Sequence, residues 1–215
     1  MRVLVTAGPT REPLDPVRFL SNRSSGRMGF AVARALRDRG HEVVLVCGPT
    51  ALEPPSGVEC VRIGTATEML AACREHWPRC QALFAVAAVA DWRPARVGAR
   101  KLKRGAGGAC TLELVPNPDI LATLAREKGA RLAVGFALES GDGREEARRK
   151  LREKNLDFLA LNGPEAQEAA VSRLWLLDAR GGERELGPAP KEELARGLLE
   201  AVLPAGDEAC PQKKV

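Results

Sequence analysis

Apolar residues in this chain fall in short dense runs, separated by stretches with helical spacing, the alternation expected of a βα repeat. Val3–Thr6 is the first such run and predicts a short strand. After a polar segment, Gly26–Arg39 spaces Phe30, Ala33 and Leu36 along one helical face against a charged one. Gly40 then fits the residue that closes a helix. Glu42–Cys47 (EVVLVC) carries the β-branched enrichment of a buried parallel strand. Gly57–Ile63 predicts a third strand, and Thr65 with Glu68 forms a capping box for a helix running to about His76. Ala82–Ala90 (ALFAVAAVA) is apolar throughout; it predicts the central strand, ending abruptly at Asp91.

The texture then changes. Lys101–Arg104 and Cys110–Val115 alternate polar and apolar residues around GAGG, which predicts a β-hairpin. Asn117-Pro118-Asp119 reads as a helix start with Asn117 as N-cap and Pro118 in the first turn. Leu132–Leu138 and Asp157–Leu161 predict two more buried strands, with a charged helix over Gly143–Lys154 between them. Val171–Asp178 and Glu183–Leu186 flank a Gly-Gly turn and predict a second hairpin before a last helix, Lys191–Leu203. No repeat or linker interrupts the series. The expected fold is α/β: a Rossmann-like, open, mostly parallel sheet with helices on both faces and added β-hairpins. Residues 1–204 are expected to form a single domain, with 205–215 as a flexible tail.

Composition narrows the function classes. No apolar run approaches the ~20 residues that span a bilayer, and the chain opens directly on a strand, so neither a membrane segment nor a signal peptide is expected. A cytoplasmic location follows. The six cysteines (Cys47, Cys60, Cys73, Cys80, Cys110 and Cys210) show no C-x-x-C or zinc spacing, and buried reduced thiols are expected. His41 and His76 have no metal or triad partner nearby in sequence. The net charge of +5 is mixed along the chain and suits a polyanionic small molecule. Aromatic residues make up 4% of the chain and tyrosine is absent. Stacking platforms for nucleic acid are therefore not expected.

Between Gly8 and the first helix lies a loop much longer than the usual βα connection of about 2–6 residues. It carries Arg11, Arg18, Glu12, Asp15, three prolines, and Asn22 close to two serines. At its end SSGRMG, Ser24–Gly29, offers hydroxyls and backbone amides at a helix N-terminus, suited to phosphate oxygens but equally to plain capping. A dinucleotide site would want an acid after the second strand to hold the ribose; Cys47-Gly48-Pro49 stands there instead. Asp91 closes the central strand on the ligand side of an open sheet, where it could hold a metal, hold a sugar hydroxyl or cap a turn. Lys101 and Lys103 alternate onto one face if they lie in a strand, and Lys150 and Lys154 share one helical stripe.

Taken in order, TAGPTREPLDPVRFLSNRSSGRMG, AAVADW, KLK, NPDIL, GFALES and KNLD resemble the bacterial phosphopantothenoylcysteine synthetases of coenzyme A biosynthesis, over about Val3 to Asn162. The resemblance implies a ligase. The carboxylate of 4′-phosphopantothenate would attack the α-phosphate of CTP, releasing pyrophosphate; the cysteine amine would then displace CMP from the acyl cytidylate. It implies catalytic roles for Asn22 and Lys101. It implies nucleotide binding by Ser24, Ser25, Gly26, Ala85, Val86, Ala87, Asp91, Lys101, Pro118, Asp119, Ile120, Leu121, Phe136, Lys150 and Lys154. Substrate would be held by Arg18, Asn22, Ala87, Ala88 and Asp91, with Arg18 reaching across a homodimer interface. Mg²⁺ is implied, with Asp91 as its candidate ligand. No FMN is expected in this chain, though association with a phosphopantothenoylcysteine decarboxylase is. Nucleic-acid and membrane partners are not. Two rival readings stand beside the ligase: a reductase or other nucleotide-binding domain of the same fold, and a non-catalytic dimerising partner of a decarboxylase.

Overall fold

The computed structural model describes residues 1–103, 109–139, 141–163 and 169–204. In chain order the first half comprises β1 (Arg2–Ala7), a ribbon of β2 (Arg11–Pro13) and β3 (Phe19–Ser21), α1 (Arg27–Asp38), β4 (Glu42–Cys47), β5 (Glu59–Arg62), α2 (Ala66–His76), and β6 (Ala82–Ala85). The second half comprises β7 (Trp92–Pro94), β8 (Leu114–Pro116), α3 (Ile120–Arg126), β9 (Leu132–Leu138), α4 (Arg144–Glu153), β10 (Phe158–Asn162), β11 (Val171–Asp178), β12 (Glu183–Pro190) and α5 (Lys191–Val202). Eight strands form one sheet in the order β12-β11-β10-β9-β6-β1-β4-β5. From β10 to β5 all neighbours are parallel, and β11 and β12 extend the sheet antiparallel.

The strand sequences explain the three layers. Side chains alternate across a strand, so β1 sends Val3, Val5 and Ala7 into one core and Leu4 into the other. On the first face α1 and α5 pack together over the sheet, with Phe30, Leu36, Leu194 and Leu198 fully buried or nearly so. On the second lie α2, α3 and α4, where the buried Trp77 donates its indole N–H to the Leu124 carbonyl at 3.0 Å. Gly29 sets how closely α1 can approach β1: a Cβ there would lie 2.5 Å from the Ala7 Cβ.

Several expected elements differ from those observed. The central strand stops at Ala85, because the backbone of 86–90 turns to other acceptors. The Ala87 N–H donates to Thr6 Oγ1, the Ala88 N–H to the Gly8 carbonyl, and the Ala90 N–H to Thr10 Oγ1. Thr6 and Thr10 are themselves buried, so these hydroxyls replace a strand partner. Among the described residues, the hairpin expected between Lys101–Arg104 and Cys110–Val115 is not formed. Leu114–Pro116 pairs instead with Trp92–Pro94, a partner further along the chain than local pattern can find, and Lys101–Lys103 is exposed and outside any strand. The GAGG turn and Arg104 lie outside the described residues, as do Ser140 of GFALES and the tail expected over 205–215. Asn117 is not the cap of α3. Asp119 takes that place, its side chain accepting from the Ala122 N–H at 2.9 Å, while Asn117 donates to the Ala90 carbonyl and receives Arg93.

The capping box at α2 is formed as the sequence predicts, with Thr65 and Glu68 each accepting the other's backbone N–H. The polar loop after Gly8 proves to be ordered as the β2–β3 ribbon. Glu12 anchors it from below: only 1% exposed, its carboxylate accepts the Ala66 N–H at the start of α2. Asp15 closes the turn, accepting the Val17 and Arg18 N–H groups and the Leu102 N–H.

Candidate functional site

The connection from β1 runs to β4 on one side and later to β6 on the other. The order of strands therefore reverses between β1 and β6, the position where open α/β sheets bind ligands. A cleft of about 640 Å³ opens there, over the carboxyl ends of the parallel strands. Its near wall is the end of the long loop and the start of α1, Asn22 and Ser24–Met28. Its floor is Ala85, the last residue of β6, and the segment from Val86 to Asp91 that has left the sheet. The far wall is Asn117–Leu121 with Phe136, Lys150 and Lys154, and Asn162, Ser172 and Lys191 close one end.

At the near wall Gly26 turns the chain into α1 with φ +79°, a conformation that strains any other residue. The α-carbon of Gly8 lies 3.3 Å from where a Cβ would stand. This close approach leaves no side chain over the first turn, where backbone N–H groups face the cleft without intrahelical partners. The Ser24 hydroxyl accepts the Gly26 N–H at 3.3 Å, so it caps the turn as well as lining the cleft. Thr50 holds the Ser25 carbonyl from below at 3.1 Å.

Asn22 is fixed by its nitrogen. Nδ2 donates to the carbonyls of Ala88 and Val89, at 3.0 and 3.1 Å. Two carbonyl acceptors determine which way the amide faces. Oδ1 has no protein partner among the described residues. Asp91 stands exposed at the end of the floor, its backbone carbonyl taking the Asn117 N–H. Its carboxylate likewise has no partner among the described residues.

The far wall is built from ion pairs. Lys154 meets Asp119 at 2.8 Å, and Lys150 meets Glu139. Burial opposes the charge of Asp119, but its bond from Lys154 and the Ala122 N–H hold its carboxyl below the ordinary range. Phe136 is half-buried and packs against the core below.

Most residues singled out from sequence therefore meet in one cleft: Asn22, Ser24–Gly26, Ala85–Ala88, Asp91, Pro118–Leu121, Phe136, Lys150 and Lys154 all line it. Arg18 and Lys101 do not. Arg18 lies half-exposed beside the β2–β3 turn, clasped to Asp15 and donating to the Leu102 carbonyl at 2.6 Å. Lys101 is exposed, one residue before Leu102, whose carbonyl accepts from Arg18 and whose N–H donates to Asp15, and these bonds tie the K-L-K segment to the Arg18 turn. The pairing of Lys101 and Lys103 on one strand face is not observed, since no strand forms there. Sequence reasoning missed Arg27, Asn117, Asn162 and Lys191 as lining residues. Arg27 was signalled by its place inside SSGRMG; Lys191, distant in the chain, carried no signal.

Among the described residues no three His, Cys, Asp or Glu side chains gather as a metal site, and no helix is long and apolar enough to cross a membrane. Residues 1–205 match the family described as DNA/pantothenate metabolism flavoprotein C-terminal domain. The chain is 44% identical to the coenzyme A biosynthesis bifunctional protein CoaBC of Mycolicibacterium smegmatis, over 94% of this chain and 52% of that protein. It is 41% identical to CoaBC of Escherichia coli K12, over 97% of this chain and 53% of that protein. The chain thus spans about half the length of the curated relatives it matches. The crystal structure of the C-terminal domain of CoaBC superposes with a TM-score of 0.81 at 39% identity, covering 94% of this chain and 93% of that one.

Proposed function

The chain belongs to the DNA/pantothenate metabolism flavoprotein C-terminal domain family, and from that premise we propose that it is a phosphopantothenate–cysteine ligase that uses CTP. The observation that carries the proposal is the meeting, in one cleft, of residues drawn from motifs scattered along the chain: Asn22 and the α1 N-terminus on one wall, Asp91 on the floor, Lys150 and Lys154 on the other wall.

The reaction needs two bond exchanges. The carboxylate oxygen of 4′-phosphopantothenate attacks the α-phosphorus of CTP and pyrophosphate departs with the bonding pair. The cysteine nitrogen then attacks the acyl carbon, CMP departs, and the amine loses a proton. Positioning and charge stabilisation supply most of the catalysis in such transfers. The N–H groups of the α1 first turn and the hydroxyls of Ser24 and Ser25 suit phosphate oxygens. Ala85 at the end of β6 and the small residues Ala87 and Ala88 beyond it let the backbone come close to both substrates. The free Oδ1 of Asn22 can accept from the incoming ammonium or amine without adding charge. Pro118–Leu121 and Phe136 would hold the base, with Lys150 and Lys154 beside the phosphates.

Mg²⁺ suits this cleft: it binds through one or two carboxylates together with substrate phosphates, and Asp91 offers one carboxylate with no competing protein partner among the described residues. When bound it would offset charge on the phosphate oxygens. Lys101 would approach the triphosphate only by movement of the K-L-K segment, and we keep its catalytic role on the strength of the motif.

A homodimer belongs to the same reading. Val17, Phe19, Trp92, Val97, Leu102, Leu112 and Leu114 are exposed apolar residues on or beside the two small ribbons, which pack together through β2 and β7. A second copy is the proposed cover, because Arg18 emerges at this patch and would reach the neighbour's cleft. We further propose that residues 1–204 act as one domain, that the protein works in the cytoplasm, and that a decarboxylase is its functional associate. Incubating the chain with phosphopantothenate, cysteine, Mg²⁺ and either CTP or ATP, and measuring pyrophosphate, tests the activity. Pyrophosphate release faster with CTP is expected; none with either nucleotide would refute the reading.

A further inference from the structure

The Asp91 carboxylate has no partner among the described residues, so the backbone sets the direction of that side chain. Both peptide groups that flank the Asp91 α-carbon are held by one residue, Asn117. Its Nδ2 donates to the Ala90 carbonyl at 2.8 Å, and its backbone N–H donates to the Asp91 carbonyl at 2.8 Å. The second bond carries the β7–β8 ladder one step past the Trp92–Pro116 pair, and it sets Asn117 opposite Asp91 where the ribbon meets the cleft. The Asn117 amide is itself oriented: Oδ1 accepts from Arg93 Nη1 at 3.1 Å, and the same nitrogen donates to the Pro116 carbonyl. Ala90, only 7% exposed, is held from its other side by Thr10, whose hydroxyl takes the Ala90 N–H at 3.0 Å. A side chain at 117 must therefore donate to a carbonyl and accept from a guanidinium at once. An amide does both; a carboxylate cannot donate, and leucine does neither.

We propose that Asn117 is the positioning residue of Asp91: it fixes the backbone on both sides of that carboxylate, so that the nucleoside triphosphate meets Asp91 already oriented. This rests on the ligase reading, in which Asp91 contacts the bound nucleotide. It gives Asn117 a role in place of the helix cap, which Asp119 supplies. A carboxylate that has to find its direction on binding loses conformational freedom at that moment, and holding it beforehand lowers that cost. Asn117 runs directly into Pro118 and Asp119 of the far wall, so the same residue ties the floor of the cleft to the wall beside it. Asn117 acts through Asp91 and need not touch the reacting atoms.

A double-mutant cycle on CTP affinity tests the assignment, read by calorimetric titration of the full chain in magnesium buffer. Asn117→Leu adds no charge and removes both bonds of the amide while the backbone bond stays. It is expected to weaken CTP binding about tenfold, the scale of one lost hydrogen bond with an acceptor left unpaired. Asp91→Asn should weaken binding as well, and in that background Asn117→Leu should weaken it by less than about twofold further. If Asn117→Leu does not fold, Arg93→Met, which frees the amide to turn, should show the same dependence on Asp91 at a smaller size. In turnover, Asn117→Leu should raise the KM for CTP and leave the KM for cysteine unchanged. An equal loss in both backgrounds is plain structural support and overturns the assignment, as does CTP affinity unchanged by Asn117→Leu. A loss that depends on Asp91, in a chain that releases no pyrophosphate, would uphold Asn117 and sink the ligase reading. Pyrophosphate release with independent losses would do the reverse.

Discussion

Asn22 is held by its nitrogen and presents its oxygen, and that division decides what a substitution there will do. In Asn22→Asp the Ala88 and Val89 carbonyls would face a carboxylate oxygen in place of a donor. The side chain keeps its acceptor but loses its seat. The amide-forming step should slow by about a hundredfold, the scale of a positioned proton acceptor. Acyl cytidylate should then accumulate in rapid-quench samples; wild-type decay of that intermediate would remove Asn22 from the machinery. Lys101→Gln should instead slow formation of the intermediate, and an unchanged first step would argue against its approach to the phosphates. Asn22 and Asp91 were legible in the sequence because each sits in a dense local motif; the two far-wall lysines were singled out only by their shared helical stripe and by the family resemblance. The partners Glu139 and Asp119 that seat those lysines were not legible, since ion pairing depends on which strands and helices become neighbours.

Among the elements, the β2–β3 ribbon shows most clearly how the loop after Gly8 is made. Buried acids, not apolar residues, hold it: Glu12 on the start of α2, and Asp15 in its own turn. The Leu102 N–H above all, then the Val17 and Arg18 N–H groups with the Arg18 guanidinium, outweigh burial and hold the Asp15 carboxyl well below its ordinary 3.8. A carboxyl depressed on folding contributes stability above its unfolded value and loses it as pH falls through the folded one. Asp15→Asn should therefore lower the melting temperature by a few degrees at pH 7, and the gap should close as pH drops below 3.8. A gap constant across that range would contradict the assignment. At the other side of the loop, Gly29→Ala would press a methyl onto Ala7. Overpacking of about 1–3 kcal/mol exceeds the ~1 kcal/mol that alanine gains over glycine within a helix, so urea denaturation should show a net loss. Strands and helices with strong periodicity, such as β4, α2 and β9, were legible because local pattern and burial agree. The ends of β6 and the β7–β8 pairing were not, because Thr6, Thr10 and Trp92–Pro94 compete for the same backbone from far along the chain.

For the whole molecule, the parallel sheet and its strand reversal place the cleft, while the two ribbons place an apolar patch beside Arg18. If a second copy covers that patch, a charge at Trp92 or Phe19, 53% and 47% exposed, should split the assembly. Sedimentation velocity should find Trp92→Glu monomeric and wild type dimeric, with turnover falling alongside. A monomeric wild type would contradict the dimer. The α/β architecture was legible from the order of apolar runs; the patch was not, because its residues come from four separate segments. The central claim is tested most directly by leaving cysteine out. With CTP, Mg²⁺ and phosphopantothenate alone, mass spectrometry should find acyl cytidylate and pyrophosphate in equal amounts, up to one per active site. Added cysteine should then convert the first wholly to the amide and CMP. Failure to form acyl cytidylate, or its persistence after cysteine is added, would contradict the account.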